Sequence, residues 1–586
     1  GQAQYPVVKT GRPRIYDDQD RIDWLKANYQ VTGAFKTDYD RFMYSYNRNW
    51  LTRPDLYLAG TEPGLWTWNW NSSSAQNQVL FAVFTYKVTS DPQALERCKF
   101  LAQQVITAVN DADFSSMEYY AKETFLRRIS ETGGLILDWC YDDLPAALRS
   151  DLVQAMYTQT LEFMNTYILS SKGTSYVGSH NIHNTISCNQ NTLVLYHASE
   201  LTPAQQNTVE SWYRTIYDKL VNEIIPCWTY YRDDDGGWNW GAAYSMWAFV
   251  NQFLLFENMK IATSTNFFTS LPWIQNSINQ YIYLFQPDNK TIHWGDGVMQ
   301  FGSADKVLYL HAKYFNDPRS RWLEQYWSLP ENLNGLGAVL EKMLYKDYTL
   351  PAVTQPVNPL DWQADKVGLS VSRSSWNNDA TMITFFNSPS KKANHEHLDN
   401  NSFTVYKHTP LLLDAGHYDA FGSSRYLNYY QRTIAHNSIC VYDGSDNGQP
   451  KYSNDGGQVD CMELKNYNDI FQPAHQRGKW IQYATGDGYT YNVADAQLSY
   501  NPDKLDFFRR RLLYIKPEKI IVLDHIHLNH TTTKQRDIKW IAHFANRPDI
   551  SGAVTHTEVA NHIITYNGTD YTAANGNGNI ALRTLI

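Results

Sequence analysis

Two hydrophobic periodicities divide the chain. From about residue 12 to 345 apolar side chains recur at helical spacing, and from 366 onward they alternate with polar ones. The first helical segment, RPRIYDDQDRIDWLKANY, opens on an aspartate cap and places Ile22, Leu25 and Tyr29 on one face. Similar patterns run over 76–88, 92–110, 119–140, 144–168, 181–199, 203–225, 241–259 and 269–286, separated by short Asp, Pro, Gly and Ser breaks. Many helices joined by short loops predict an array of paired helices, not one bundle. KDYTLPAVTQPVNPLD, 346–361, carries three prolines and no period, and predicts a linker over 346–365. Beyond it VGLSVSRSSW, ATMITFFN, LLLDAG, RRRLLYIKPEKIIVLDHI and KWIAHFAN read as strands, with Lys516-Pro517-Glu518 turning between two of them. The expectation is an α+β chain with a helical domain over 1–345 and an antiparallel β-sandwich over 366–586.

At 586 residues and 43% hydrophobic content, the chain can bury large cores in more than one domain. No apolar run approaches the roughly 20 residues of a membrane span. The opening GQAQYP has no leader-like apolar stretch and reads as a mature or trimmed start, and a Gly/Asn-rich turn close to Ile586 leaves room for a further segment. A formal net charge of −9 with no basic stripe argues against nucleic acid as a partner. The same charge disfavours a densely sulfated substrate, although a local cleft can be basic on an acidic protein. Aromatic residues make up 15% of the chain, including 42 Tyr and 19 Trp. Many belong to a core, but Trp66-Thr67-Trp68-Asn69-Trp70 also fits a sugar-binding platform. Six cysteines without a C-x-x-C read as buried thiols.

The richest chemistry lies in 394–437, NHEHLDNNSFTVYKHTPLLLDAGHYDAFGSSRYLNYYQRTIAHN. On a strand, His395 and His397 would share a face. If 403–406 and 411–414 pair as a hairpin, Asp414 lies near the start of the first strand. His397, Asp414 and His436 would then form a set of two imidazoles and one carboxylate, which suits zinc. The plain alternative is separate hydrogen-bonded polar residues around a loop. The blocks HEHLDNNSF, LLLDAG and YYQRTIAHNS together resemble the heparinase II/III-like group of polysaccharide lyases. That resemblance implies an incomplete (α/α) toroid followed by the β-sandwich, and action on alginate or heparan-type glycosaminoglycans. It also implies one structural divalent metal, with zinc as the expected ion, on His397, Asp414 and His436, with His395 facing substrate.

Three helical stretches could complete the site. In GSHNIHNTISCNQN, His180, His183 and Asn184 fall near one helix face, with capping by Ser179 or Asn181 as the plain reading. N-I-H-N-T partly matches the lyase form N-N-H-G-T, which implies catalytic roles for Asn181 and His183 and leaves His180 and Asn184 as substrate contacts. In DDDGGWNWGAAYSMW, a glycine-rich segment precedes a helix with Tyr244 in its first turn. The group has a catalytic tyrosine after such a segment, although its usual Glu-Gly is Trp240-Gly241 here. Trp238 and Trp240 are candidate sugar platforms. In ETFLRRISETGG, Arg128 could read a uronate carboxylate or simply pair with Glu131, and Arg432 is a second candidate cation.

A lyase removes the C5 proton of a uronate and expels the C4 oxygen. It needs donors for the carboxylate, a base and an acid. Asn181 and His395 could supply the first, and Tyr244 with His183 the others. Tyr429 and Tyr430 stand next in line. Alginate is the leading substrate in this reading, with a heparan-type or other glycosaminoglycan as the alternative. A glycoside hydrolase using Asp233, Asp234, Asp235 and Glu131, or a non-catalytic binding protein using tryptophans alone, are the other classes. An anionic polysaccharide as substrate implies a secreted or periplasmic setting in a bacterium.

Overall fold

The computed structural model describes residues 5–49, 75–170, 178–232, 235–297, 305–326, 336–390, 395–446, 455–459, 469, 472–530, 534–551, 555–559, 563–567 and 570–584. Trp66, Trp68, Trp70, Asp233, Asp234 and Cys461 lie outside them. The chain is an α+β protein of a helical toroid and an antiparallel β-sandwich. No described helix is long and apolar enough to cross a membrane.

The first helix, Gln19–Asn28, begins where the Asp18 side chain accepts from Arg21 N, and it buries Ile22 and Leu25. Three later helices carry the site: Tyr119–Trp139, Ser179–Leu195 and Gly241–Thr263. Glu118 caps the first of these by accepting from the Tyr120 and Ala121 amides. They run parallel, as their cross-links show. Glu123 meets His180, and further along the same two helices Ser130 accepts from Gln190. His183 meets Asn251, and Asn189 meets Met259. Their N-terminal ends therefore open on one rim. The expected 269–286 helix is broken into Phe267–Ser270, Pro272–Asn276 and Ile278–Tyr283. Pro272 lacks the amide a continuous helix needs there, and the Ser277 hydroxyl turns back to the Ile274 carbonyl.

The last helix ends at Tyr345, and the first strand lies inside the stretch expected as linker, because Trp362 and Ala364 alternate inward there. Strands β1 (Asp361–Ala364), β2 (Leu369–Arg373), β3 (Thr381–Phe386), β4 (Ser402–Lys407) and β5 (Thr409–Leu412) form one antiparallel meander in that order. After β6 (Ile439–Asp443), strands β7 (Lys479–Gly486), β8 (Tyr489–Asp495), β9 (Leu505–Ile515) and β10 (Lys519–Leu528) form the second sheet. β9 and β10 are joined at the expected Lys516-Pro517-Glu518 turn. Ile383, Phe385, Phe403, Val405 and Leu412 of the meander pack on Ala494, Leu512 and Tyr514 of the second sheet, which makes the sandwich. β6 pairs with β11 (Arg536–Trp540), and residues 549–583 add small antiparallel sheets.

The two domains share one apolar core. Trp362, Val371, Met382 and Phe386 join the toroid's cluster, Trp362 stacks on Tyr283 at 5.4 Å, and Phe386 stacks on Trp294 at 5.9 Å. Cys98, Cys140, Cys188, Cys227 and Cys440 are buried free thiols.

Candidate active site at the seam of toroid and sandwich

The helical side of the site is a polar strip across the three parallel helices. Buried Glu123 sets both carboxylate oxygens 2.9 Å from His180 Nδ1. One turn further, Arg127 Nη1 donates to His183 Nδ1 across 3.3 Å. His183 Nε2 lies 2.9 Å from the Asn251 side-chain amide, and Trp247 covers the ring at 3.6 Å. Burial, then the Arg127 charge, holds the His183 pKa well below the ordinary histidine value. His183 is thus a neutral imidazole. Asn184 is buried, and neither of its side-chain amide atoms has a hydrogen-bond partner. An orphaned buried amide of this kind has donor capacity to spare for a carboxylate.

Tyr244 sits in the first turn of its helix, where Gly241 has φ +73° and the Ala242 amide donates to the Trp294 carbonyl at 2.7 Å. A Cβ on Gly241 would come within 2.4 Å of the Trp294 oxygen, and one on Gly295 within 2.7 Å of Gly241 Cα and 2.8 Å of the His395 carbonyl. Only two facing glycines allow this approach. It fixes the turn Gly295-Asp296-Gly297 against the sandwich. The Asp296 carboxylate then accepts from both histidines of the His-x-His block, His395 Nδ1 and His397 Nε2, each at 2.8 Å. The Tyr430 hydroxyl clamps the same turn by donating to the Gly295 carbonyl at 3.2 Å. The His395 ring lies flat on the Tyr244 ring, with centroids 3.6 Å apart and planes at 7°.

Burial raises the Tyr244 pKa, the nearby Asp296 charge adds to that, and a hydrogen bond from the Tyr418 hydroxyl opposes it. Tyr244 therefore holds its proton at neutral pH. Burial lowers the His395 pKa in spite of Asp296.

Behind this face lies a second cluster. Asp399, Asp414 and His436 are buried, and their donor atoms lie within 4.8 Å of one another. His436 Nδ1 is 3.0 Å from Asp414 Oδ1 but off the line of a hydrogen bond. Both Asp414 oxygens, one Asp399 oxygen and both His436 nitrogens lack a hydrogen-bond partner. Three buried residues that each turn one donor atom into the same small space, and carry unsatisfied polar atoms, fit a divalent cation, since burying such groups unpaired is costly. Without a cation, burial pushes Asp399 up to about 7. Burial alone would lower His436, but Asp414, Asp399 and Asp455 raise it. Asn437 builds the cluster's frame. It donates to the Phe403 and Leu413 carbonyls and accepts from the His543 amide at 2.6 Å, which zips β4 to the Asp414 segment.

Residues 356–584 match the family described as heparinase II/III-like, C-terminal. This part of the chain is a heparinase II/III-like domain. No curated protein sequence matches the chain. Among solved structures, a crystal structure of heparinase III is 14% identical with a TM-score of 0.53, covering 97% of this chain and 80% of that one. A second heparinase III gene product gives 13%, 0.52, 95% and 78%. A heparan sulfate lyase from Pedobacter heparinus gives 12%, 0.51, 94% and 79%. The whole chain therefore has the fold of the heparinase III structures.

The sequence-predicted residues divide into three groups. Tyr244 and His395 stack, His180 and His183 line the same end of the toroid, and buried Asn184 and partly buried Asn181 lie in the same first turns of their helix. Of the predicted metal set, Asp414 and His436 are joined by Asp399, while His397 turns Nε2 to Asp296 and keeps its ring 5.1 Å from His436. The His395–His397 segment is a loop of buried turns and not a strand, so a shared carboxylate, not strand alternation, points both rings the same way. The third group is held within the protein by its own packing and ion pairs. Trp238 and Trp240 are buried, with Trp238 covering the Arg232 guanidinium at 4.3 Å. Arg432 is fully buried against Asp455 at 2.5 Å, and Arg128 pairs with Glu131 at 3.1 Å. Of the carboxylates in the hydrolase reading, Glu131 is taken by Arg128, Asp235 accepts from the Gly237 amide, and Asp233 and Asp234 lie outside the described residues. Asp296, Glu123, Asn251 and Tyr418 were missed. Only Asp296 carried a signal, an aspartate between two glycines.

Proposed function

We propose that the chain is a polysaccharide lyase that breaks a uronic-acid polymer by β-elimination, with a heparan-type glycosaminoglycan as substrate in preference to alginate. The observation that carries this reading is the Tyr244–His395 stack, tied by Asp296 across the seam of the two domains. Tyr244, held protonated by burial, supplies the proton to the departing C4 oxygen. A histidine of the Ser179–Leu195 helix takes the C5 proton. The orphaned Asn184 amide and His395 face the uronate carboxylate, and the N-terminal ends of three parallel helices favour its charge. Asp399, Asp414 and His436 would hold a divalent metal, with His397 beside them. Two carboxylates and one imidazole are a harder donor set than the expected two imidazoles and one carboxylate. When bound, the metal supplies charge that braces the loop behind His395.

The heparinase structures favour a heparan-type polymer. The net charge of −9 and the pairing of Arg127 and Arg128 within the protein favour a sparsely sulfated one. Heparan sulfate, heparin, chondroitin sulfate, hyaluronan and alginate, each followed by ultraviolet absorbance of the unsaturated product, test the reading. Heparan sulfate should give the fastest rise. Fastest cleavage of alginate would return the substrate to the sequence's first expectation, and no absorbance rise on any polymer would refute a lyase.

A further inference from the structure

We infer that Glu123 and His180 form the proton-accepting dyad of the site, with His180 as the catalytic base and Glu123 as its positioning residue. This deepens the lyase reading and rests on it. The sequence pattern pointed to His183, but its geometry does not suit a base. His183 is buried, and both ring nitrogens are engaged. Arg127 Nη1 faces Nδ1, and Asn251 Nδ2, an amide donor that also donates to the Trp247 carbonyl, faces Nε2, so whichever nitrogen holds the lone pair of the neutral ring meets a donor. No lone pair of that ring is left for substrate.

His180 has the opposite arrangement. Its side chain is 51% exposed while its partner Glu123 is 1% exposed. Both Glu123 oxygens face Nδ1, which donates to them and leaves the lone pair of this half-exposed ring on Nε2. Tyr120 flanks the ring at 5.2 Å, which limits its rotation. A buried carboxylate that orients an exposed imidazole is the arrangement by which a histidine is held in one tautomer and its cation stabilised.

The helix register brings this base to the acid. His183 contacts Trp247, and the two helices run parallel. His180 and Tyr244 each stand one turn before a member of that contact, so they share the rim. His180 is also close enough to His395, which stacks on Tyr244, to depress its pKa.

In the reaction the Nε2 lone pair of His180 takes the C5 proton. The C5–H electron pair becomes the second bond between C4 and C5. The C4–O bond breaks with its electrons on oxygen, and that oxygen takes the Tyr244 hydroxyl proton. The imidazolium on His180 is stabilised by Glu123, and proton return through solvent from His180 to Tyr244 restores both groups.

The test uses the full chain with heparan sulfate and the ultraviolet readout. H180A should lose turnover by about 10²–10⁴-fold, as should Y244F, with melting temperatures near that of the wild type because both positions lie on the rim. Added imidazole should restore at least about tenfold of the lost rate in H180A, since an exposed position leaves a solvent-filled gap, and none in Y244F. E123Q should lower kcat by about tenfold or more and leave KM within about twofold, because Gln keeps an acceptor for Nδ1 but not the charge. H180A and the bulkier H180Q, both folded, keeping turnover within about fivefold would overturn the dyad while an inactive Y244F left the lyase reading standing. Failure of imidazole to rescue H180A would overturn the role of base. A wild-type chain that yields no unsaturated product would overturn both.

Discussion

At the scale of single residues, the sharpest feature is the set of buried donor atoms that nothing in the protein satisfies. Each unpaired buried polar atom costs about 1–3 kcal/mol, and Asp399, Asp414 and His436 carry five of them between them, with one ligand atom of each residue within 4.8 Å of the others. Such a cluster is stable only with a cation or with protons. Protein purified without added metal should carry about one divalent ion per chain. A chelator should remove it and lower the melting temperature by an amount on the order of a few degrees, and D414N should bind none. Metal-free protein whose melting temperature ignores the chelator would refute the metal. His395, Asp414 and His436 were legible because their blocks are short and chemically dense. Asp399 stood in the same block but was not assigned to the cluster, since sequence spacing cannot say which way a loop residue turns. Asp296 showed only its place between two glycines, for a related reason. It lies 99 residues before His395, in a turn without periodicity, and its role exists only once two domains meet. Trp238 and Trp240, candidate platforms by sequence, are buried, because aromatic composition does not separate a platform from a core.

At the scale of elements, the site depends on one backbone-to-backbone approach. The helix that carries Tyr244 starts against the turn that carries Asp296, and Gly241 and Gly295 make that contact possible. Two neighbouring glycines separate the possible causes. Gly295 has φ +65° and no room for a Cβ, whereas Gly297 has φ +81° but would meet only Ala243 Cβ at 3.6 Å. Alanine at 297 faces the strain of a left-handed conformation, about 1–2 kcal/mol. Alanine at 295 faces that strain and a clash with two backbones. G295A should therefore lower the melting temperature clearly more than G297A and should also cut turnover, because the turn and the Asp296 carboxylate move together. Equal losses in the two variants would mean that backbone conformation alone matters. Periodicity made the elements themselves legible, down to the Asp18 cap and the turn at Pro517. Element ends were harder. The Pro272 break and the early start of β1 at Asp361 are set by packing between the domains, which a local pattern does not contain.

At the scale of the molecule, neither domain holds the site alone, and both keep histidines neutral by burial, so stability and pH are coupled throughout. The overall slope mixes signs. Buried carboxyls such as Asp17 and Asp399, raised to about 7, favour the folded state at low pH and lose that advantage as pH rises from about 4 to about 7. Lowered histidines act the other way, and His311 isolates the effect far from the site. It is fully buried, with Nε2 donating to the Gln275 carbonyl at 2.8 Å and Nδ1 lying 3.0 Å from the Ser320 hydroxyl. Burial lowers its pKa to about 4, with the Gln275 bond only partly opposing. Above about 6.5 both folded and unfolded chains hold this ring neutral, so it adds no pH dependence. Below that value the unfolded chain takes a proton that the folded one refuses. Stability should then fall by up to about 1.4 kcal/mol per pH unit, reaching about 3 kcal/mol near pH 4. H311Q keeps a donor and an acceptor but cannot titrate. Urea unfolding of both proteins at pH 8, 6.5 and 5 should show a constant difference between the upper two values. Between pH 6.5 and 5 the wild type should lose stability faster than the variant by about one proton's worth. Parallel curves over the whole range would mean that water reaches His311 in the folded state and that its burial does not govern its titration.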